Sequence, residues 1–144
     1  MTRIHRTPAH VPRSRCPVAG SLDLLGDRWT LLVVRDLFLG KRRYGEFLAS
    51  PERIPTNILA DRLSRLERAG IVTRRPYQDN PPRHAYALTL KGRSLGAVLK
   101  ALVAWGKRHI PGSRTLGEAR RARGGGRATS PGRRSARILT ARAA

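Results

Sequence analysis

The sequence predicts a mainly α-helical domain with one small β-hairpin, and three features lead there. Apolar residues recur at helical spacing in five stretches between Cys16 and His109, turn formers separate those stretches, and two extended segments bracket a proline-rich turn. A chain of 144 residues fits one compact domain with tails and leaves no room for a second core.

Each element follows from local chemistry. Val18, Leu22 and Leu25 repeat at helical spacing behind Pro17, which suits a first helical turn, and Gly26 closes this short first helix. Asp27 is a candidate cap for the next helix, whose Trp29, Leu31, Leu32, Val33, Val34, Leu37 and Phe38 are apolar nearly all round and predict burial. Gly40 ends it. Tyr44, Phe47 and Leu48 mark a short third helix, and Ser50-Pro51 with Ile54-Pro55 breaks the chain before a fourth begins. That fourth helix, from Thr56 to Ala69, puts Leu59, Leu63 and Leu66 in one stripe and stops at Gly70. Ile71 to Tyr77 and His84 to Leu88 read as strands joined by Gln78-Asp79-Asn80-Pro81-Pro82-Arg83, a hairpin with a basic tip. Leu95, Val98, Leu99, Leu102 and Val103 give one long last helix ending near His109, with a stripe that needs a partner. A buried helix bracing a second helix, followed by a hairpin, is a winged helix-turn-helix.

The charge says what such a domain would meet. Thirty Lys and Arg stand against nine Asp and Glu, a formal net charge of +21. Cation clusters neutralise phosphates and release condensed counterions, which points to a polyanionic partner. Residues 1 to 15, with Pro8 and Pro12 and no apolar periodicity, read as a disordered basic arm; its arginines lack the amphipathic helix of a transit peptide. Residues 111 to 144 read as a disordered tail, because from 113 onward nine Arg face one acid, Glu118, beside Gly124, Gly125 and Gly126. The predicted domain, 16 to 110, keeps 17 Lys and Arg against 8 acids, so it is basic in its own right.

Other classes fit poorly. The single cysteine, Cys16, rules out an intrachain disulfide and makes a reduced, cytoplasmic compartment the expectation. Apolar runs such as Leu31 to Val34 are far below the ~20 residues of a membrane helix. His5, His10, His84 and His109 have no metal-ligand spacing, and the glycine run lacks the Lys and Ser/Thr of a phosphate loop. The chain is therefore read as neither an enzyme nor a cofactor or metal protein. Only 5% of residues are aromatic and no strand carries paired stacking aromatics, which disfavours single-stranded RNA. A non-specific architectural nucleic-acid binder is the competing reading.

The major groove of B-DNA admits an α-helix and shows there a donor and acceptor pattern unique to each base pair. The fourth helix offers the matching groups. Thr56 and Asn57 lie at its start, Asp61 and Arg62 follow, and Arg65 is one turn beyond. Asn57 and Arg62 are the foremost candidates for base contacts. Arg83 at the hairpin tip suits the adjacent minor groove, with Arg74 and Arg75 near phosphates. Cys16 has two readings, a thiol activated by Arg13, Arg15 and a helix start, or a small buried hydrophobe. Trp29 and Trp105 read as core.

Several of these residues form an ordered set: Cys16-Pro17, Gly26-Asp27-Arg28-Trp29-Thr30, Arg35-Asp36-Leu37, Ile54 through Gly70, and Pro81-Pro82-Arg83. Across about residues 14 to 110 the chain closely resembles the HxlR family of bacterial transcription regulators, while its tails lie outside the likeness. The resemblance implies a homodimer paired through the first and last helices, here Val18, Leu22, Leu95, Val98, Leu99, Leu102 and Val103, on a pseudo-palindromic double-stranded DNA operator. By position it makes Ile54 to Ala69 the recognition segment, Arg83 the wing residue and Cys16 the candidate sensor of oxidants or electrophiles, with no small-molecule effector specified. One departure stands out: many members have Ser before the recognition helix, whereas this chain has Pro55, which leaves capping to Thr56 or to a proline start.

Overall fold

The computed structural model describes residues 13–124. Helix α1 (Pro17–Leu25) starts on its proline and ends where the Gly26 N–H reaches the Leu22 carbonyl. Helix α2 (Thr30–Phe38) begins later than its cap, because Asp27 Oδ1 accepts from the N–H groups of both Trp29 and Thr30, at 2.8 and 3.0 Å. Two of the four unpaired N–H groups of a helix start are thus satisfied by one carboxylate. Its inner face, Val33, Val34 and Leu37, is buried, but Phe38 at 42% exposure is not, so the expectation of burial nearly all round fails at the last turn.

Helices α3 (Tyr44–Leu48) and α4 (Thr56–Arg68) follow. Leu59, Leu63 and Leu66 of α4 are at most 1% exposed and pack with Phe47, Ile54, Ile71 and Val72 around α2. Strands β1 (Val72–Gln78) and β2 (Arg83–Leu88) pair antiparallel from Val72 opposite Leu88 to Gln78 opposite Arg83, with an irregularity between Pro76 and Gln78. The first strand is displaced by one residue from the sequence expectation, and the second starts one residue earlier and ends where expected. Arg43 adds a single bridge to Ala85, and the Tyr86 N–H donates to the Arg42 carbonyl at 2.8 Å, so the approach to α3 lies along the free edge of β2. Phe47 meets Tyr86 edge-on, 6.4 Å between ring centres, which fastens α3 to the hairpin.

The expected long last helix is α6 (Gly96–His109), and a short helix that the periodicity did not announce, α5 (Leu90–Ser94), precedes it with a break at Leu95. Backbone crowding is the physical cause of the placement. A Cβ on Gly92 would lie 2.2 Å from the Ile71 carbonyl oxygen, so α5 starts pressed against the α4–β1 junction. Thr89 fixes it there, accepting from the Gly92 N–H at 3.1 Å and donating to the Gly70 carbonyl at 2.6 Å.

The residues after Trp105 form a unit of their own. The reading of everything beyond 110 as unfolded is corrected by a helix α7 (Leu116–Gly124). Thr115 and Glu118 form a reciprocal cap, Glu118 accepting from the Thr115 N–H at 2.9 Å while the Thr115 hydroxyl accepts from the Glu118 N–H at 3.3 Å. Composition hid this local signal. At the other end, Arg13 is tied to Asp23 of α1; residues 1–12 and 125–144, which include most of the expected arm and tail, lie outside the described residues.

Candidate nucleic-acid interface

Because α4 turns about 100° per residue, burial of Leu59, Leu63 and Leu66 forces Asn57, Ala60, Asp61, Ser64 and Arg68 onto the opposite arc, where all are exposed. Pro55 occupies the cap position with extended backbone and gives no side-chain cap, so Thr56 is the first helical residue and its exposed hydroxyl is not consumed in capping. Tyr44 donates its hydroxyl to the Thr56 carbonyl and fixes the helix start against α3.

Arg62 does not stand on the outer arc. Its Nε lies 3.0 Å from Asp27 Oδ1 and its Nη1 2.6 Å from Asp61 Oδ2, and the side chain is only 16% exposed. The expected base reader thus bridges α4 and the cap of α2. Burial pushes the Asp27 carboxyl up, but the Thr30 hydroxyl, the Trp29 and Thr30 N–H groups and the Arg62 charge together hold its pKa below the ordinary value. Arg65 is half-buried on the flank of the helix.

A second such bridge sets the turn between α3 and α4. Asp36, 3% exposed, takes hydrogen bonds from Lys41 Nζ at 3.0 Å, from the Ser50 hydroxyl and from Arg35 at 2.9 Å. Arg35 also grips Glu52 with both terminal nitrogens, at 2.6 and 2.9 Å. Burial lowers the Arg35 pKa, yet its two carboxylate partners leave it above the usual value, and the Arg35 hydrogen bond holds Glu52 below its own. Such a buried ionic cluster fixes geometry more than it adds stability.

On the hairpin, successive side chains alternate faces, so Arg74 and Arg75 part company. Arg74 turns toward α4, 3.5 Å from Glu67, and stands across the ladder from Tyr86, whereas Arg75 is exposed on the other face opposite Ala85. Ala85 also faces Arg43 across the single bridge, which sets Arg75 and Arg43 on either side of it. The Arg43 guanidinium lies over the Tyr77 ring at 4.7 Å, a cation–π contact. Arg83 is exposed at the hairpin end, beside an open groove of about 390 Å³ lined by Tyr44, Tyr77, Pro82, Arg83, His84 and Tyr86. Sequence reasoning missed Arg42, Arg43 and Arg53. The Lys41-Arg42-Arg43 run was a visible signal, but only the bridge to β2 brings it beside the wing. Arg53 holds a left-handed φ of 53° in the turn before α4.

Two other sites divide. Of the residues expected to pair subunits, Leu95 and Leu99 pack against this chain's own core, while Val18, Leu22, Val98, Leu102 and Val103 are 40–66% exposed. Trp105 is 60% exposed rather than core, and Trp29 is half-buried. Cys16 is exposed at the entry of α1, which overturns its reading as a buried hydrophobe, and Arg13, one of the two cations expected beside it, is committed to Asp23. Among the described residues no group of three His, Cys, Asp or Glu could hold a metal, and no helix is long and apolar enough to cross a membrane.

The HxlR-like helix-turn-helix family model matches residues 24–114. The HTH-type transcriptional regulator Rv3095 of Mycobacterium tuberculosis is 44% identical over 94 residues, 65% of this chain and 59% of that protein, so the chain spans about three-fifths of that relative's length. The HTH-type transcriptional regulator sll1512 of Synechocystis is 39% identical over 102 residues, 71% of this chain and 76% of that protein. The reduced form of the transcriptional regulator YodB from Bacillus subtilis superposes with a TM-score of 0.56 at 33% identity, covering 70% of this chain and all of that one. With its α4 face, its hairpin and these relatives in agreement, the chain belongs to the HxlR-like helix-turn-helix family of DNA-binding transcriptional regulators.

Proposed function

We propose that this regulator acts in the cytoplasm as a homodimer that recognises a specific, pseudo-palindromic double-stranded operator. The observation that carries the reading is the two-sidedness of α4, whose inner stripe is fully buried while its outer arc presents exposed hydrogen-bonding groups and Arg68. Thr56, Asn57 and Asp61 would meet base edges in the major groove, Arg65 and Arg75 would meet phosphates, and Arg83 would enter the neighbouring minor groove. Arg62 and Arg74 serve this arrangement as struts, through Asp27 and Glu67. The exposed apolar residues of α1 and α6, Val18, Leu22, Val98, Leu102 and Val103, supply the dimer contact, and a two-fold axis then sets the two α4 helices about 34 Å apart. Cys16 is exposed at the start of α1, where oxidation or alkylation would act next to that contact.

Fluorescence anisotropy tests the reading, using the DNA upstream of the protein's own gene and shuffled DNA of equal length across a salt series. Specific recognition requires the upstream duplex to stay at least ~10³-fold tighter at physiological salt. Coincident curves for all genomic fragments tried would favour the architectural reading, in which charge alone binds.

A further inference from the structure

Helix α7 has no buried residue and carries three exposed arginines, Arg120, Arg121 and Arg123, with Arg114 exposed just ahead of it. None of the four is hydrogen-bonded or ion-paired among the described residues, unlike Arg62, Arg35 and Arg74 of the domain. At 100° per residue, positions 120, 121 and 123 share one side of the helix and Glu118 falls near the opposite side. Glu118 is the single acid from residue 113 onward, and it is spent internally, on Lys107 and on the cap at Thr115. The Lys107 ammonium and the Thr115 groups hold its pKa down to about 2, so it is ionised and occupied at neutral pH. Arginines near a helix C-terminus also agree with the helix dipole, so the same residues stabilise α7 and face outward. What remains is a capped helix whose free surface is cationic. Its residues lie beyond the matched 24–114 segment.

We infer that α7 is a sequence-independent phosphate contact that adds to the protein's affinity for any DNA duplex. Its occupant is the DNA backbone, because a cluster of guanidinium groups without acidic partners complements a polyanion. The inference rests on the DNA-binding reading above but makes a separate claim about where affinity arises.

The test uses the full chain, with all four arginines replaced by Gln, on the upstream and shuffled duplexes. Each phosphate contact contributes about 0.9 to the slope of log affinity against log salt, so the slope should fall by about 2 to 4 per protomer. At low salt both duplexes should weaken about tenfold or more, and equally. Superimposed wild-type and variant slopes, or a loss confined to one duplex, would overturn the inference. Replacing the four by Lys keeps the charge and should restore the slope; a Lys variant that binds like the Gln variant also overturns it. Glu118→Gln preserves a capping side chain and removes the lone acid, so it should raise affinity for both duplexes a few-fold, and no rise counts against the inference. Failure of the operator reading shows elsewhere, as equal affinity of the wild-type chain for the two duplexes.

Discussion

Helices α4 and α6 carry apolar stripes of the same period and meet opposite fates. In α4 the stripe disappears into the core, with Leu59, Leu63 and Leu66 at most 1% exposed. In α6 no residue is buried, and Val98, Leu102 and Val103 are 40–48% exposed. Periodicity tells which face of a helix avoids water but not whether the surface that covers it belongs to the same chain. The difference divides the molecule by role, since a helix buried by its own chain can aim an outer face, and a helix left uncovered can recruit a second copy.

The strongest way to break this contrast is to disturb what braces α4. Asp36→Ala leaves Lys41 and Arg35 facing a buried vacancy, and urea unfolding should show a loss of about 3 to 5 kcal/mol. Leu63→Ala should cost about 2 to 5 kcal/mol by the same measurement, through a cavity in the core. Leu102→Glu on α6 should change unfolding of the isolated subunit little and weaken self-association at least tenfold in sedimentation equilibrium. Equal, large destabilisation by Leu63→Ala and Leu102→Glu in the monomer would abolish the distinction.

A finer test concerns Arg62. As a strut it should couple to Asp27 by about 1 kcal/mol in a double-mutant cycle, and Arg62→Ala should weaken binding to every sequence alike rather than relax one base position. The pH dependence carries a matching sign. The Asp27 pKa is lowered on folding from 3.8, so its contribution is complete above that value and is lost as pH falls through the lower folded value. Acid unfolding monitored by circular dichroism should therefore be shallower in Asp27→Asn below about pH 4. The smallest expected effect is Arg75→Ala, a salt slope reduced by about 1 with operator preference intact.

Most elements were legible because their signals are local: Pro17 starting α1, Asp27 satisfying the N–H groups ahead of α2, and the Leu59, Leu63, Leu66 spacing. What escaped depends on distance in sequence. Arg62 pairs with Asp27, 35 residues away, as well as with its neighbour Asp61, and the distant half of that pairing has no signal in the local sequence. Arg43 reaches the wing only because the chain runs along β2 before α3. The seat of α5 depends on the close approach of Gly92 to Ile71, invisible to any helical repeat. Helix α7 is the exception, a local cap at Thr115 and Glu118 outvoted by an arginine-rich composition.

The seam at Gly92 has a consequence for how such a regulator diversifies. It is the place where the chain passes from the layer that would face DNA to the helix that would face a second subunit, and the close approach to Ile71 leaves no slack there. In the proposed dimer α4 would choose the bases, while this seam would gauge the stride between the two protomers. Exchanging residues on the outer arc of α4 should thus change which bases are chosen and preserve the spacing of half-sites, while a side chain at position 92 should alter the spacing and leave each half-site's sequence as it was.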